Sequence, residues 1–277
     1  MVRFIAALAG AGFILVLLIS LITGASAFIA EGKPETVEHR FHKHPEPLQL
    51  ASDGPLGKFD RQQLQRGFQV YKEVCAACHG LNQVAFRNLE DLGYNEAEVK
   101  AIANQWAIEV PSINPDTGEA TTRKATPADR FPNPYANETA ARAANNNALP
   151  PDLSLITKAR EGGAPYVHSL LIGYRNPPAD LPKENQPGQG LHYNPYFANL
   201  NIAMPPPLAA DGQVTYADGT KSTIDQMAKD VSAFLVWTAE PKLEARHRTG
   251  LAVLIFLIFA TVLAYLSYRN IWADKKH

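Results

Sequence analysis

The chain has 277 residues, of which 46% are hydrophobic and 19% are charged, and its formal net charge is −1. This length allows a sizeable buried core, but two long segments take a large share of the apolar residues, which indicates a membrane protein. The sequence contains neither a glycine-rich phosphate loop nor a basic patch with interleaved aromatic residues. We therefore expect it to bind no nucleotide and no nucleic acid.

The first apolar segment has the organisation of a secretory signal. A positive start at Arg3 precedes an apolar run from Phe4 to Ile22, and Ala25-Ser26-Ala27 matches a small-residue cleavage site. We expect residues 1–27 to be removed as a signal peptide. The run is longer than a usual signal core, so a retained signal anchor is the alternative.

Residues 28–58 are rich in proline and glycine and lack periodicity, so we predict an extended lead-in. Three histidines lie in this stretch, at His39, His42 and His44. No cysteine lies in this stretch, and we expect a solvated linker rather than a metal cluster.

The most informative motif is Cys75-Ala76-Ala77-Cys78-His79, in which two thiols three residues apart are followed by a histidine. A structural zinc site would need further soft ligands, and the chain has only these two cysteines. A redox dithiol does not require the adjoining histidine. The motif therefore predicts one covalently bound haem c, with thioether bonds from Cys75 and Cys78 and an iron ligand from His79.

A helix is predicted to lead into this motif. Asp60 is a candidate N-cap with Gln63 three residues later. The apolar positions that follow have a 4-3-4-3 spacing, which places both cysteines on one face. These positions are Leu64, Phe68, Tyr71, Cys75 and Cys78.

Further elements are predicted in chain order. Asn95 and Glu98 cap a helix carrying Val99, Ile102 and Trp106 on one face. Residues 111–134 form a surface excursion with turn signals, and helical character returns at 138–146.

After Pro151, Asp152 is predicted to cap a helix that reaches Arg160, and another helix begins at Pro165. Residues 173–207 are predicted to form long loops, and Val214–Tyr216 a small hairpin with Asp218-Gly219 as its turn.

The last soluble helix is predicted to start at Ser222, with Asp225 completing its cap, and to end before Pro241. Its apolar stripe consists of Ile224, Met227, Val231, Phe234 and Thr238.

A sixth ligand for the iron is sought among three methionines, because a thioether opposite histidine raises the redox potential. Met1 is lost with the signal, and Met227 fits the apolar stripe of a helix. Met204 lies in a loop before three prolines that stiffen the backbone. Met204 is therefore the candidate, with His168 or His192 as the rival ligands, or a Met204 that only fills a gap.

The second apolar segment, Gly250–Tyr268, contains no charge and can span the hydrocarbon layer as a helix. We place a transmembrane anchor at residues 247–269 and a tail at 270–277. Positive charges flank it equally and give no orientation. Covalent haem attachment occurs outside the bacterial inner membrane, so we expect residues 28–249 on the periplasmic side and the tail in the cytoplasm.

Several longer stretches resemble the cytochrome c1 family, the haem-bearing subunits of the cytochrome bc1 complex. They are GKFDRQQLQRGFQVYKEVCAACHG at 57–80, ANNNALPPDLS at 144–154, YNPYF at 193–197, MPPPL at 204–208 and VSAFLVWTAEP at 231–241. The resemblance implies a mostly α architecture. It comprises a cytochrome-c-like haem domain at 59–246, with long inserted loops and a small hairpin, and one C-terminal transmembrane helix.

The resemblance also implies roles for individual residues. Cys75 and Cys78 match the thioether positions, and His79 and Met204 match the axial ligands. Arg142 matches an arginine that pairs with a haem propionate, which suits a bidentate guanidinium. Pro150 matches a proline that packs near the haem.

Three departures from the family stand out. Asn147 replaces a glycine usual in mitochondrial members, but asparagine tolerates a left-handed backbone, so we expect the turn to survive. Phe86 stands where a tyrosine is frequent. Some bacterial relatives support the methionine loop with a disulfide, which this chain cannot form.

The function implied by the resemblance is electron transfer within a quinol–cytochrome c oxidoreductase. The chain would lie beside cytochrome b, accept one electron at a time from the Rieske iron–sulfur protein and pass it to a soluble or membrane-bound cytochrome c. Two rivals stay open: a free-standing membrane-anchored cytochrome, and a haem peroxidase with an accessible iron.

Charge offers a hint about the acceptor. Residues 28–246 carry 21 Lys and Arg against 26 Asp and Glu, a net charge of −5. Four acidic residues follow the haem motif: Glu90, Asp91, Glu96 and Glu98. They could steer a basic cytochrome c, or form an ordinary solvated helix face.

Overall fold

The computed structural model describes residues 1–31 and 36–275 and divides the chain into two units, Met1–His42 and Lys43–His277. The first unit contains helix α1 (Val2–Glu31) and the short helix α2 (Val37–Phe41). Thr36 begins α2, because its hydroxyl accepts a hydrogen bond from the His39 amide at 3.2 Å. The prediction of a lead-in that is extended throughout is therefore wrong at this point, because the Thr36 cap allows one helical turn.

Within residues 1–31 and 36–275, two helices are long and apolar enough to cross a membrane, at the two apolar segments that the sequence analysis identified. One is the N-terminal segment Val2–Ala30, with a mean hydropathy of 2.8, and the other is Leu243–Trp272, with 2.5. The first coincides with the predicted signal segment.

The second unit is mostly helical, as predicted. Its helices are α3 (Arg61–Glu73), α4 (Glu96–Asn104), α5 (Glu138–Ala144), α6 (Ile156–Ala159), α7 (Gly163–Ile172), α8 (Ile224–Ala239) and α9 (Leu243–Trp272). Short 3-10 helices lie at Cys75–Ala77, Phe86–Leu92 and Lys183–Asn185. Strand β1 (Val110–Ile113) pairs antiparallel with β2 (Ala120–Arg123), and β3 (His192–Tyr193) with β4 (Asn201–Ile202).

The core forms where α3 crosses α8. Gly67 permits the close approach, because a Cβ atom there would lie 2.1 Å from the Asp230 carbonyl oxygen. Around the crossing lies a cluster of buried aromatic side chains. Its members are Phe68, Tyr71, Phe86, Trp106, Phe131, Phe234 and Trp237.

A buried polar network joins the same two helices. The fully buried Asp230 carboxylate accepts hydrogen bonds from Arg66 Nε at 2.9 Å, Gln63 Nε2 at 3.1 Å and Gln226 Nε2 at 2.8 Å. Gln63 is thus a partner of Asp230, not of the α3 N-terminus. Asp60 alone caps α3, accepting from the Gln62 and Gln63 amides.

The single hairpin predicted at Val214–Tyr216 does not form, and among the described residues the antiparallel pairs are β1–β2 and β3–β4. The Asn114–Gly118 turn signals are flanked by β1 and β2, whose mainly exposed side chains lack a hydrophobic alternation that the sequence could reveal. Val214 and Tyr216 are buried alternately, but their segment lies against α3, where Gln69 Nε2 donates to the Thr215 carbonyl at 2.9 Å. This bond takes the place of a partner strand.

Two predicted caps are also corrected. Thr223, not Ser222, caps α8, since its hydroxyl accepts from the Gln226 amide at 3.1 Å. Asp225 instead contacts His168 Nε2 at 3.0 Å.

Asp152 is not the cap of the helix that reaches Arg160. Its carboxylate accepts from the Asn82 amide at 2.7 Å and the Ser154 amide at 2.9 Å, and the single turn of α6 begins at Ile156.

The cap of α4 is confirmed, with reciprocal bonds between Asn95 and Glu98 of 2.8 and 3.0 Å. The predicted stripe of α8 is buried at Met227, Val231 and Phe234.

Helix α9 is held to the start of α3. The Glu244 carboxylate accepts from the Phe59 amide at 2.8 Å and from both Arg61 guanidinium nitrogens at 3.0 and 3.2 Å. His247 Nδ1 lies 3.1 Å from the Gly57 carbonyl oxygen. The membrane helix therefore begins as part of the soluble core, before the predicted boundary at 247.

Candidate haem-attachment site

The thiols lie on a tight turn directly after α3. The α-helix ends at Glu73, whereas the predicted helical stripe included Cys75 and Cys78. Cys75–Ala77 continues as a 3-10 turn in which the Cys78 amide donates to the Cys75 carbonyl at 3.1 Å. Side chains at i and i+3 eclipse in 3-10 geometry. Cys75 and Cys78 therefore share one side of the turn despite the early helix end.

Burial, together with the nearby Cys78, raises the pKa of the Cys75 thiol to about 12. The thiol is therefore protonated at neutral pH and is not the activated thiolate that a thioredoxin-like dithiol would need. Both cysteines are free thiols.

His79 is fixed in one tautomer. Its Nδ1 lies 2.7 Å from the Pro151 carbonyl oxygen, which can only accept, so Nδ1 carries the hydrogen and Nε2 keeps its lone pair. Desolvation lowers the pKa of His79, although the bonds to Pro151 and the charge of Asp152 oppose this effect. A neutral imidazole with a free Nε2 is the form that binds a metal.

The segment containing Pro150 is held beside this turn. The Leu153 amide donates to the Gly80 carbonyl at 3.0 Å, and the Gln83 amide donates to the Ser154 hydroxyl at 3.0 Å. Pro150 lies directly before Pro151, the partner of His79, and is half-buried. The structure thus brings Pro150 to the edge of the haem-attachment turn.

The segment that contains Arg142 reaches the turn through Asn145 and Tyr135, since Tyr135 contacts both Asn145 and Cys78. The hydrogen bond from Asn145 lowers the pKa of Tyr135, but burial and the contact with Cys78 raise it by more. The net effect is a raised pKa. Asn145 follows α5, and Arg142 Nη1 donates to the Asn147 carbonyl at 3.1 Å. Asn147 has a φ of 63°, which confirms that the left-handed turn survives without glycine.

The segment before Met204 pairs with residues that follow a contact of the Arg142 turn. Asn146 Nδ2 donates to the Gln189 carbonyl at 3.4 Å, and Gly190, with a φ of 73°, passes close to the same side chain. Residues 192–193 then pair with 201–202, directly before Met204. These contacts link the Arg142 turn to the strand pair that precedes Met204.

The donor set fits a covalently attached haem. It comprises two free thiols on one side of a turn, an imidazole with a free Nε2 and a thioether before a rigid proline run. Leu149 and Leu191 are 38% and 36% exposed, which leaves apolar surface beside Pro150 and His192 for a porphyrin to cover.

The rival ligand His168 is occupied otherwise. Its side chain is 7% exposed and its Nε2 contacts Asp225, in the first turn of α8. His192 is half-buried on β3. These positions favour Met204 over His168 but leave His192 to be tested.

Three residues that shape the site were not predicted in these roles. Tyr71 and Tyr174 donate to backbone carbonyls of His79 and Met204, and Tyr135 contacts Cys78. The helical stripe marked Tyr71 as buried but carried no signal of its hydroxyl partner, since that bond depends on the turn that follows α3.

Comparison with known proteins agrees with this geometry. Residues 50–275 match the model of the cytochrome C1 family. The chain belongs to the cytochrome c1 family. This confirms the resemblance that the motifs at 57–80 and 204–208 indicated, and with it the mostly helical haem-domain fold.

Individual relatives cover most of the chain. Cytochrome c1 of Rhodospirillum rubrum is 48% identical over 81% of this chain and 86% of its own length. A protein of Arabidopsis thaliana named cytochrome c1 1, heme protein, mitochondrial, is 44% identical over 92% of this chain and 80% of its own length. The mitochondrial cytochrome b-c1 complex catalytic subunit of Candida albicans is 44% identical, with 84% and 79% covered.

Proposed function

We propose that this chain is the haem-bearing electron-transfer subunit of a quinol–cytochrome c oxidoreductase, the cytochrome bc1 complex. The observation that carries the proposal is the 75–79 turn, with His79 locked by Pro151 in the tautomer that can bind iron, in a chain of the cytochrome c1 family. Family membership confirms the prediction of a covalently bound haem c, since relatives are named heme proteins.

When bound, haem c supplies an iron that changes its charge by one electron. In the proposed site Cys75 and Cys78 would tether the porphyrin through thioether bonds, and His79 and Met204 would bind the iron. With two protein ligands the iron would offer no site for a substrate. Oxidoreductase activity thus belongs to the complex, and this chain relays electrons.

Two further residues complete the proposed site. Arg142 is exposed on α5, from which its guanidinium offers the charge-assisted hydrogen bonds that a propionate requires. Pro150 packs near the haem edge beside the Pro151 carbonyl.

The proposed partners are cytochrome b in the membrane, the Rieske iron–sulfur protein as electron donor, cytochrome c as acceptor and lipid around α9. The relative named a b-c1 complex catalytic subunit supports the assembly with cytochrome b. We place the haem domain in the periplasm and residues 270–277 in the cytoplasm. This orientation follows from where covalent haem attachment occurs.

Residues 1–27 are proposed to be removed after export. Their helix is long and apolar, as is typical of a segment that contacts translocation machinery or lipid. N-terminal sequencing of the mature chain should begin at Phe28. A chain beginning before Phe28 would indicate a retained anchor.

The test of the proposal is purification of the detergent-solubilised complex through a tag placed after His277. We expect a haem-staining band of this chain together with cytochrome b and a Rieske protein, and reduction of its haem by quinol. Removal of the Rieske protein should abolish that reduction. A haem chain isolated alone under mild detergent would support a free-standing cytochrome, and rapid carbon monoxide binding by the folded reduced protein would support a peroxidase-type site.

The acceptor is proposed to dock on the acidic surface formed by Glu90, Asp91, Glu96 and Glu98, all of which are exposed. Replacing these carboxylates by the corresponding amides should slow association with a basic cytochrome c at low salt. The difference should shrink at physiological ionic strength, where screening acts over about 8 Å. Glutamine at position 98 can still accept from the Asn95 amide, so α4 should persist.

Stopped-flow oxidation of the reduced complex measures this effect, and quinol-to-haem transfer serves as the internal control. Equal association rates for variant and wild type at low salt would contradict docking at this surface and indicate an ordinary solvated helix face.

A further inference from the structure

Two tyrosine hydroxyls bond to the backbone carbonyls of the two proposed iron ligands. Tyr71 donates to the His79 carbonyl at 2.9 Å, and Tyr174 donates to the Met204 carbonyl at 3.1 Å. The Tyr71 ring is 1% exposed within the aromatic cluster, and Tyr174 is half-buried directly after α7. The two ligand segments thus receive the same kind of bond from two different parts of the core.

The two bonds differ in what else holds each ligand. His79 follows the cysteine tethers directly, and its amide donates to the Cys75 carbonyl at 2.9 Å. Met204 has no covalent link to the porphyrin, and the chain's two cysteines are both in the haem motif, so no disulfide can close its loop. Its position therefore depends on non-covalent contacts.

The end of α7 supplies a platform for the methionine segment. Asn194 Nδ2 donates to the Leu170 carbonyl at 2.8 Å. A Cβ atom at Gly173 would lie 2.5 Å from the Tyr196 ring and 2.8 Å from Asn194 Oδ1, so the segment packs directly on this turn. Tyr174 is the next residue, and its hydroxyl extends the same attachment to Met204.

The segment before Met204 is strained. Leu200 adopts a φ of 68°, in the left-handed region that is unfavourable for a residue with a β-carbon. The Asn194 amide donates to the Leu200 carbonyl at 2.7 Å and maintains this conformation. Such a segment relaxes when the hydrogen bonds that hold it are lost. The bond from Tyr174 to the Met204 carbonyl therefore helps to fix the position of the methionine sulfur.

We propose that Tyr174 is a positioning residue for the sixth iron ligand, whose hydroxyl holds the Met204 carbonyl and so keeps the thioether on the iron. This inference rests on the proposed role of Met204. The effect is greatest in the oxidised state, because the soft thioether binds Fe(III) less strongly than Fe(II). Tyr174 acts through Met204, whose carbonyl accepts its hydrogen bond.

The test is Tyr174→Phe, which removes one oxygen atom and keeps the ring. Loss of a hydrogen bond of ordinary strength should raise the population with Met204 dissociated by about two- to tenfold. The purified complex should then bind imidazole to oxidised haem faster by the same factor, measured by stopped-flow absorption. Reduced haem should bind carbon monoxide more readily than in wild type.

Tyr71→Phe is the matched control, since it deletes the same hydroxyl from the bond to His79. Because His79 is tethered through Cys78, imidazole binding should stay within about twofold of wild type, even if thermal stability falls similarly in both variants.

Wild-type imidazole kinetics in Tyr174→Phe would overturn the inference. So would equal acceleration in Tyr71→Phe, since that would indicate general loosening of the core. Met204→Leu separates this failure from failure of the ligand assignment: if its methionine-to-iron charge-transfer band persists, Met204 is not the ligand and the proposed site itself is wrong. If that band is lost while Tyr174→Phe behaves as wild type, only the role of Tyr174 is disproved.

Discussion

The His79 and Met204 sides of the site are built by different means. The His79 side is mainly local, since the thiols, the imidazole and Tyr71 lie within residues 71–79 and are joined by short-range bonds, with one long-range bond from His79 Nδ1 to the Pro151 carbonyl. The Met204 side depends on bonds between residues 24 and 30 positions apart and on the strained Leu200. A short motif can encode the first ligand, whereas the second depends on the folded loops.

The comparison predicts its largest effect at His79. Replacing His79 by Ala should abolish nearly all covalently bound haem and quinol–cytochrome c reductase activity, because the fifth ligand and the attachment motif are lost together. Haem-stained denaturing gels and reduced-minus-oxidised spectra measure the loss. His192→Ala is the control and should retain full haem, and loss of the low-spin spectrum in this control would revive His192 as the rival ligand.

A pair of loop variants should separate the two sides. Asn194→Ala leaves the Leu170 carbonyl and the Tyr196 amide without their hydrogen-bond partner and should lower the free energy of unfolding by about 2–3 kcal/mol. It should also open the sixth position to imidazole. Asp152→Ala removes the acceptor of the Asn82 and Ser154 amides and should cost about 1–2 kcal/mol without opening that position.

Urea unfolding and imidazole binding measure both quantities for each variant. Equal imidazole access in Asn194→Ala and Asp152→Ala would show that the two sides are not independent.

A smaller effect concerns the pH dependence of the free energy of unfolding, through Asp129. The two hydrogen bonds from Arg123, with help from Thr126, hold the pKa of Asp129 well below its ordinary value of 3.8. The Asp129 carbonyl accepts from the Phe86 amide at 3.0 Å and so supports the aromatic cluster. A lowered folded-state pKa contributes stability above pH 3.8, and this contribution is lost as the pH falls further.

Asp129→Asn should therefore lower the free energy of unfolding by about 1 kcal/mol at pH 7. The difference from wild type should stay constant down to about pH 5 and shrink below the ordinary pKa. Thermal unfolding of both proteins across this range tests the expectation. A difference that grows at acid pH would contradict the assigned sign.

Much of the helical fold could be predicted because its signals are local. The caps at Asp60 and Asn95 and the apolar stripe of α8 each lie within one or two turns. Where tertiary partners compete, the same signals failed: Asp152 looks like a cap but bonds Asn82, and Asp225 looks like part of a capping box but contacts His168.

The candidate site divides in the same way. The thiols and His79 were evident from spacing, and Met204 from elimination among three methionines. Three contacts could not be predicted, because each joins segments distant in sequence and gives no periodic signal. They are the contacts of the Pro151 carbonyl with His79, of Tyr135 with Cys78 and of Tyr174 with the Met204 carbonyl.

The most direct measurement of the central claim is the absorption spectrum and redox titration of Met204→Leu in the intact complex. If His79 and the cysteines hold the haem locally while Met204 is supplied by the fold, the variant should keep its covalent haem and lose the methionine-to-iron charge-transfer band. Its midpoint potential should fall by on the order of 100 mV or more. Survival of that band with an unchanged potential would contradict the account.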